Sequence, residues 1–254
     1  MMLRVDGVTF AYRSAPVLGG VDFAAEPGEF LAVLGNNGAG KSTLLRCITR
    51  IVRPHGGAVY LDETDVHALS GAERARRIGY VPQRAETSHM TVYDAVLVGR
   101  TPHITWDASH DDHHVVERVL AELGLEHLAM RPIDELSGGE LQKTVIARAL
   151  AQEPRVLLLD EPTSSLDLRN QLDVLATVKR VTAAQGVAVV AVMHDLNLAL
   201  RFADAFLFLA DGCVHACGGP EVVTSATVSH VYGVPVSVTA VDGVPLVVPL
   251  APPS

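Results

Sequence analysis

The sequence predicts an α/β protein in which a parallel βα core carries an antiparallel β part at its N-terminus and an inserted helical part. Short continuous apolar runs are typical of strands buried on both faces, and they occur at residues 30–34, 156–160 and 187–192. Near the N-terminus, residues 3–12 and 17–23 alternate around the turn residues 14–16, which favours antiparallel strands. From about residue 91 to residue 151, the apolar residues recur at helical spacing instead.

The remaining elements divide the chain into three predicted parts. Helices are expected over 41–50, 74–77 and 171–185, and further strands over 58–61, 78–81 and 206–209. Asp242-Gly243 separates two β runs, 236–241 and 244–248, and this dipeptide is a strong hairpin signal. We therefore predict an α/β core with its antiparallel part over 1–84 and 152–230, a helical subdomain over 85–151, and a β-hairpin tail over 231–254.

Composition argues against nucleic acid and zinc as ligands. The 254 residues are 48% apolar and 19% charged, which is typical of globular proteins. A net charge of −9 argues against nucleic acid as a partner, because nucleic-acid-binding surfaces are usually basic. Of the three cysteines, Cys213 and Cys217 form C-x3-C, but no second Cys/His pair lies beside them, so a zinc site is not expected. These two cysteines and Cys47 are expected to be free thiols.

Membrane signals are also lacking in the sequence pattern. We find no signal-peptide apolar region at the N-terminus, and no apolar run approaches the roughly 20 residues of a membrane-spanning helix. The chain is therefore expected to be cytoplasmic and to reach a membrane only by docking onto other subunits.

Residues 35–43 match the phosphate-binding pattern G-x-x-x-x-G-K-[ST]. They are Gly35, Asn36, Asn37, Gly38, Ala39, Gly40, Lys41, Ser42 and Thr43. A buried strand precedes them and a helix follows, which is the context that this motif requires. The glycines let backbone N–H groups converge on phosphate oxygens, and the helix N-terminus favours negative charge. Lys41 is expected to contact the β- and γ-phosphates of a nucleoside triphosphate, and Ser42 to supply an oxygen to Mg²⁺.

Two acids, Asp160 and Glu161, follow the apolar run that begins at Val156. Open α/β sheets bind ligands at the carboxyl ends of their strands, so these acids are expected beside the phosphates. Asp160 is then the candidate to hold Mg²⁺, and Glu161 the candidate to polarise the attacking water. The alternative is that the two acids simply end a strand.

A third motif, Leu136-Ser-Gly-Gly-Glu140, has two compatible interpretations. Ser137 and Glu140 have the spacing of a capping box at the start of a helix. Capping does not explain Gly138 and Gly139, which are poor helix formers in a first turn. Two glycines at a helix N-terminus allow close approach of an anion, so the segment is also a candidate phosphate-binding surface.

Taken in order, these motifs resemble those of the ATP-binding-cassette (ABC) ATPases, a group of P-loop NTPases. The resemblance rests on residues 35–43, Gln83, residues 136–142, Asp160-Glu161, residues 165–167 and His194. It extends over nearly the whole chain, and the LSGGE segment is very specific. It implies a RecA-like ATP-binding core that hydrolyses ATP, with ATP and Mg²⁺ as cofactors.

The resemblance also implies roles for single residues. Tyr12 would stack on adenine, Gln83 would sense Mg²⁺ and water, and His194 would contact the γ-phosphate. Ser137, Gly138, Gly139 and Glu140 would form the signature that binds ATP, and Asp167 would lie in the following D-loop. Alternatives remain for four of them: Tyr12 as a strand aromatic, Gln83 as a polar loop residue, Asp167 as a helix N-cap, and His194 as a structural histidine.

Partners follow from the resemblance as well. Two copies would pair head to tail, so that each ATP lies between residues 35–43 of one copy and 137–140 of the other. Separate transmembrane permease subunits, and indirectly a solute-binding protein, would complete the assembly on the inner face of the membrane. Residues 96–103, 194–199 and 231–234 look like segments of importers for metal chelates, with iron–siderophore favoured over cobalamin or haem.

Two other function classes remain as alternatives. One is a non-transport ABC ATPase acting on ribosomes or DNA, which the acidic charge and single cassette oppose. The other is a regulatory module that holds ATP without turnover, which the intact Lys41, Asp160, Glu161 and His194 oppose. A histidine group (His103, His110, His113 and His114) could bind a metal, but a polar loop with acids near a helix N-terminus is the favoured interpretation.

Overall fold

The computed structural model describes residues 2–13, 15–83, 89–241 and 243–250, and the chain divides into two compact units. One unit comprises Met1–Ala68 together with Ala188–Ser254, and the other comprises Leu69–Val187. The predicted division into three parts is a different partition and stays a prediction.

The first unit contains the expected antiparallel sheet. Its strands are β1 (Leu3–Tyr12), β2 (Ala15–Ala25), β4 (Gly56–Leu61) and β5 (Thr64–Asp65), in the order β2-β1-β4-β5. Along β1, Leu3, Val5, Val8 and Phe10 are buried, because one face of the sheet packs on the core. The antiparallel N-terminal part predicted from alternation is confirmed.

The same unit also contains parallel strands that are buried on both faces. These are β3 (Phe30–Leu34), β8 (Ala188–Val192) and β9 (Ala205–Ala210), with β3 parallel to both of the others. All five residues of β3 and of β8 are buried, as their continuous apolar runs predict. The strand β10 (Cys213–Gly218) is antiparallel to β9.

Three α-helices and a hairpin accompany these strands in the described part of the first unit. The helix α1 (Lys41–Ile48) ends two residues before the predicted limit. The helices α7 (Leu196–Phe202) and α8 (Ser225–Tyr232) were not predicted, and α8 corrects the expectation of β structure before the tail. It forms because Thr224 caps its start and Gly233 ends it in the left-handed conformation.

The tail is the predicted hairpin, formed by β11 (Val236–Val241) and β12 (Val244–Pro249). Of the predicted turn, Asp242 lies outside the described residues, as do residues 251–254.

The second unit is largely helical around two parallel strands, β6 (Ile78–Val81) and β7 (Val156–Asp160). Its helices are α2 (Gly71–Ala75), α3 (Val92–Leu97), α4 (His110–Leu123), α5 (Gly138–Leu150) and α6 (Leu168–Gln185). The helix α2 lies earlier than predicted because Ser70 and Glu73 form a capping box at its start. The helix α6 starts three residues early because Asp167 caps it.

The histidine group lies differently from the prediction. His110, His113 and His114 belong to α4 itself, since Ser109 and Asp112 form a capping box that starts the helix before them. In the part of the chain that the structure describes, no group of three or more His, Cys, Asp or Glu side chains is arranged to hold a metal ion. Within the same residues, we find no helix with the length and apolarity that a membrane span needs.

Candidate nucleotide site

The phosphate loop (residues 35–43) connects β3 to α1 in the first unit. Gly38 and Gly40 have φ of 85° and 96°, in the left-handed region that glycine adopts without strain. The helix α1 follows at once, and no side chain caps it. Such a start is what a loop needs if its backbone N–H groups are to face an anion.

Lys41 is the buried charge of this loop. Its side chain is only 6% exposed, and its ammonium donates hydrogen bonds to the carbonyls of Gly35 (2.7 Å) and Asn36 (2.9 Å). Since a buried ammonium is costly unless it is hydrogen-bonded, these carbonyls fix where the positive charge lies. The loop thus holds its cation in place with its own backbone.

The other side of the loop is held by α8, which the sequence did not reveal. The Gly35 N–H donates to the hydroxyl of Tyr232 (3.2 Å), and the Asn36 amide donates to the carbonyl of Val231 (2.8 Å). Burial raises the pKa of Tyr232 to about 12, so its hydroxyl is neutral near physiological pH. The sequence signal was the Val-Tyr-Gly run at 231–233, but such a run does not indicate which distant residues it contacts.

His194 lies at the same carboxyl edge of the sheet as the phosphate loop. The strands β3 and β8 are parallel with Val33 opposite Val192, and the Met193 N–H donates to the Val33 carbonyl (3.1 Å). The residues that follow both strands therefore lie at one carboxyl edge. His194 is exposed there, and Asp195 after it caps α7 through the N–H groups of Asn197 and Leu198.

Tyr12 lies at the end of β1, and its side chain is 45% exposed. Its ring packs edge-on against Phe10, with 4.7 Å between ring centres. This position suits either a strand aromatic or a platform for a base.

In the second unit, the acids and Gln83 meet at one strand edge. The parallel strands β6 and β7 pair Val81 with Leu159, and the Gln83 amide donates to the Glu161 carboxylate (2.5 Å). Asp160 is 1% exposed and accepts a hydrogen bond from the Tyr80 hydroxyl (3.3 Å). The sequence singled out three of these residues but not Tyr80.

Glu161 has a backbone conformation that is rare outside glycine, with φ of 54°. A non-glycine residue in the left-handed region costs energy and persists where the surrounding structure imposes it. The hydrogen bond from the Gln83 amide places the Glu161 carboxylate beside Gln83.

The signature segment (residues 136–140) closes on itself through its capping box. The Ser137 hydroxyl accepts from the Glu140 N–H (3.4 Å), and the Glu140 carboxylate accepts from the Ser137 N–H (2.8 Å) and hydroxyl (2.7 Å). The hydrogen bond from the Ser137 side chain, and then that from its backbone, lowers the pKa of Glu140. The predicted capping box is confirmed.

Packing against Asn170 favours glycine at position 139, apart from any contact with a ligand. A Cβ placed on it would lie 2.6 Å from the side-chain oxygen of Asn170, which no real contact tolerates. A cavity of about 520 Å³ opens beside it, lined by Ser137, Glu140, Lys143, Asp167 and Asn170 among others. Asp167 caps α6 by accepting from the Asn170 N–H (2.8 Å), so its capping interpretation is also confirmed.

Residues 96–103 connect parts of the second unit through hydrogen bonds of Arg100 and His103. We call the contacts of Arg100 with Asp112, Ala151 and Glu153 the clasp. Arg100 is buried and donates to Asp112 (2.8 Å), to the Ala151 carbonyl (2.7 Å) and to Glu153 (2.9 Å). His103 hydrogen-bonds to the Gln152 carbonyl (2.9 Å). A segment that the sequence connected with importers thus fixes the chain at the end of α5.

The chain matches known proteins along its whole length. Residues 18–164 match the family described as ABC transporter. A relative named as an ABC transporter ATP-binding protein in Methanocaldococcus jannaschii is 51% identical, with 98% of each chain covered. The cobalamin import ATP-binding protein of Halobacterium salinarum is 42% identical over 94% of this chain and 60% of its own length. The ferric enterobactin transport ATP-binding protein of Escherichia coli is 38% identical, over 98% and 94%.

Solved structures agree with these relatives. One, titled as a metal-chelate type ABC transporter in an inward-facing conformation, has a TM-score of 0.85 and 33% identity over 98% of this chain and 97% of its own. A dimeric ATP-binding cassette in a post-hydrolysis state, bound to ADP and phosphate, has a TM-score of 0.75 and 29% identity over 85% and 98%. The chain therefore belongs to the ATP-hydrolysing ATP-binding proteins of the ABC transporter family.

Proposed function

We propose that this chain powers a metal-chelate importer by hydrolysing ATP beside separate membrane subunits. The observation that carries the proposal is likeness over almost the whole chain to import ATPases, in a chain that keeps each polar group of the phosphate loop, the acids and the signature. Iron–siderophore is the first cargo to test, followed by cobalamin and haem. The chain would then lie on the inner face of the membrane, bound to the permease.

Within the proposed site, residues 35–43 cradle the phosphates and Tyr12 stacks on the adenine. Lys41 and His194 neutralise charge that develops on the γ-phosphate, and Glu161 orients the attacking water. The hydroxyl of Ser42, the carboxylate of Asp160 and the amide oxygen of Gln83 are hard oxygen donors, which fit Mg²⁺. The metal would supply charge neutralisation at the β- and γ-phosphate oxygens.

The proposed site is shared between two copies of the chain. ATP would lie between the phosphate loop of one copy and Ser137, Gly138, Gly139 and Glu140 of the other, with Asp167 nearby. The dimeric cassette that resembles this chain supports a dimer of this kind. The solute-binding protein is then an indirect partner, reached through the permease.

The first experiment replaces Glu161 with Gln. This change keeps size and hydrogen bonding but removes the carboxylate, so hydrolysis should fall by about 100-fold or more while ATP still binds. Phosphate release and equilibrium binding of a fluorescent ATP analogue measure the two effects. Glu126→Gln, on an exposed short turn, is the matched control, and wild-type turnover in Glu161→Gln would refute the assigned role.

The second experiment tests sharing with mixed dimers. If sites are shared, a dimer with Lys41→Ala in one copy and Ser137→Ala in the other keeps one intact site. A dimer with both changes in one copy and a wild-type partner keeps none. Sites built within single copies predict the reverse, so single-turnover hydrolysis in the two dimers decides between the models.

Cargo requires the permease. Reconstituted with its membrane subunits and binding protein in lipid vesicles, the ATPase should be stimulated by ferric siderophore more than by cobalamin or haem. Stimulation by another cargo alone would redirect the assignment without touching the ATPase. Activity that depended on ribosomes or DNA instead would favour the non-transport alternative.

A further inference from the structure

The C-terminal segment 225–249 touches the phosphate loop at its first two residues. The Tyr232 hydroxyl accepts from the Gly35 N–H, and the Val231 carbonyl accepts from the Asn36 side chain. Gly35 is buried, so its N–H needs an acceptor from the protein. Tyr232 supplies that acceptor from almost two hundred positions away in the sequence.

The same two residues anchor Lys41 on their other side. Their carbonyls accept hydrogen bonds from the Lys41 ammonium, at 2.7 and 2.9 Å. Gly35 and Asn36 are thus held between α8 and the lysine. Any movement of these two residues moves the atoms that fix the position of the lysine charge.

The helix α8 is itself anchored to the hairpin. The Ser225 hydroxyl accepts from the Val238 N–H (2.9 Å), and the Ser229 hydroxyl accepts from the Val236 N–H (3.1 Å). These two bonds tie α8 to β11 at two turns of the helix. The end of α8 that reaches the loop is therefore not a free chain end.

The hairpin continues to α7, which follows His194. The Asn197 side chain accepts from the Val247 N–H (2.8 Å) and donates to the Val247 carbonyl (3.4 Å). A continuous path of hydrogen bonds and strand pairing thus runs from α7 through the hairpin and α8 to Gly35. Residues from the two segments 194–199 and 231–234, which the sequence associated only with kinship, lie at its two ends.

We propose that segment 225–249 is a brace that fixes the phosphate loop, and that Tyr232 is a positioning residue for nucleotide binding. The proposal rests on the proposed function, because it assumes that residues 35–43 bind the phosphates of ATP. Tyr232 acts on the nucleotide only through Gly35 and the loop.

Removing the hydroxyl should weaken nucleotide binding more than it weakens the fold. Tyr232→Phe keeps the ring but leaves the Gly35 N–H without its acceptor. If the lost hydrogen bond serves to order the loop, its loss should raise the Kd for MgATP by about 3- to 10-fold. The Gly35 amide should also exchange its proton faster with solvent.

Tyr93→Phe is the matched control. Tyr93 is also half-buried, and its hydroxyl bonds a side chain, the His113 ring, at 2.7 Å. The two variants should lose similar thermal stability. Tyr232→Phe alone should raise the Kd for MgATP and speed exchange at Gly35, and this split separates positioning from general destabilisation.

The experiment is equilibrium titration of a fluorescent ATP analogue, with amide exchange followed by NMR of glycine-labelled protein. Tyr232→Phe with a Kd within twofold of the Tyr93→Phe value would overturn the brace. Should Tyr232→Phe fail to fold, the double variant Ser225→Ala/Ser229→Ala decides. It removes both side-chain hydrogen bonds between α8 and β11 without touching the loop, and an unchanged Kd would overturn the proposal.

Lys41→Ala in the same titration keeps the two proposals apart. If Lys41→Ala binds ATP normally, the phosphate site itself is misassigned, and the brace falls with it. If Lys41→Ala loses binding while Tyr232→Phe and the double variant Ser225→Ala/Ser229→Ala do not, only the brace is wrong.

Discussion

The N-termini of α1 and α5 are two glycine-rich helix starts that the chain builds in opposite ways. At α1, Gly40 stands at the cap position in the left-handed conformation, and no side chain caps the helix. At α5, Ser137 and Glu140 satisfy each other across the first turn. The first start has no side-chain cap and is proposed to bind an external anion, whereas the second is capped by its own side chains.

The glycines at the two helix starts are required for different reasons. Gly38 has open space around its missing Cβ, so its left-handed backbone alone requires glycine. Gly139 has helical backbone, but a Cβ there would collide with Asn170. One glycine is needed for conformation and the other for packing.

Lys41→Ala should give the largest effect, because Lys41 is the buried cation of the proposed phosphate site. We expect the affinity for MgATP to fall by about 10²- to 10³-fold, the usual size of the effect when one preorganised donor is removed. Calorimetric titration with MgATP measures it. Arg201→Ala, an exposed cation on α7, should change little, and equal losses in both variants would point to bulk charge instead.

Asp112→Asn should give the largest loss of stability, because it breaks the clasp that holds the far end of α5. Arg100 and Asp112 are both buried, so removing the carboxylate charge beside Arg100 should cost about 3 kcal/mol of the free energy of unfolding, even though Glu153 and the Ala151 carbonyl still accept from Arg100. Urea unfolding measures the change. Asp111→Asn, one residue away and exposed, is the control and should lie within about 0.5 kcal/mol of wild type.

The same clasp predicts a pH dependence. Hydrogen bonding from Ser109, and then from Arg100, lowers the pKa of Asp112 from 3.8 to about 2. Its contribution to stability is thus complete above about pH 4 and is lost as the pH falls toward 2. In Asp112→Asn, the free energy of unfolding should lack the fall that Asp112 causes between about pH 4 and pH 2. If the variant lost as much stability over this range as the wild type, Asp112 would not be the titrating group.

Gly139→Ala tests the packing half of the comparison. The clash with Asn170 should cost about 1–3 kcal/mol of unfolding free energy, and Asn170→Ala in the same chain should recover most of it. Gly138→Ala is the control, since its added Cβ would meet only Leu166 at 3.4 Å. Thermal and urea unfolding are measured for these three variants and for the Asn170→Ala single variant, and additive losses in the double variant would refute the clash.

Ser137→Ala should have the smallest effect on stability, about 1 kcal/mol, because it removes one helix cap. Ser70→Ala removes the equivalent cap of α2, whose capping box with Glu73 has no proposed role in the site. Both should destabilise alike, but only Ser137→Ala should also slow hydrolysis. If Ser137→Ala hydrolyses ATP as fast as Ser70→Ala, the signature serine is a cap and nothing more.

Local patterns predicted much of the fold because their physical causes are local. The continuous apolar run at Phe30–Leu34 can only be buried, and Ser137 and Glu140 meet across one helical turn. The helix α8 was missed because it is short and its burial comes from distant strands. The roles assigned to Tyr12, Gln83 and His194 stay predictions.

By itself, then, the sequence determined the phosphate loop, its lysine, the acids at the end of β7 and the self-capped signature, since each depends on neighbours within a few residues. Only the tertiary structure decided what supports them. Tyr232 reaches Gly35 and Arg100 reaches Ala151 across long stretches of chain. Such contacts are set by how strands and helices pack, and no local spacing encodes which distant side chain completes a buried hydrogen bond.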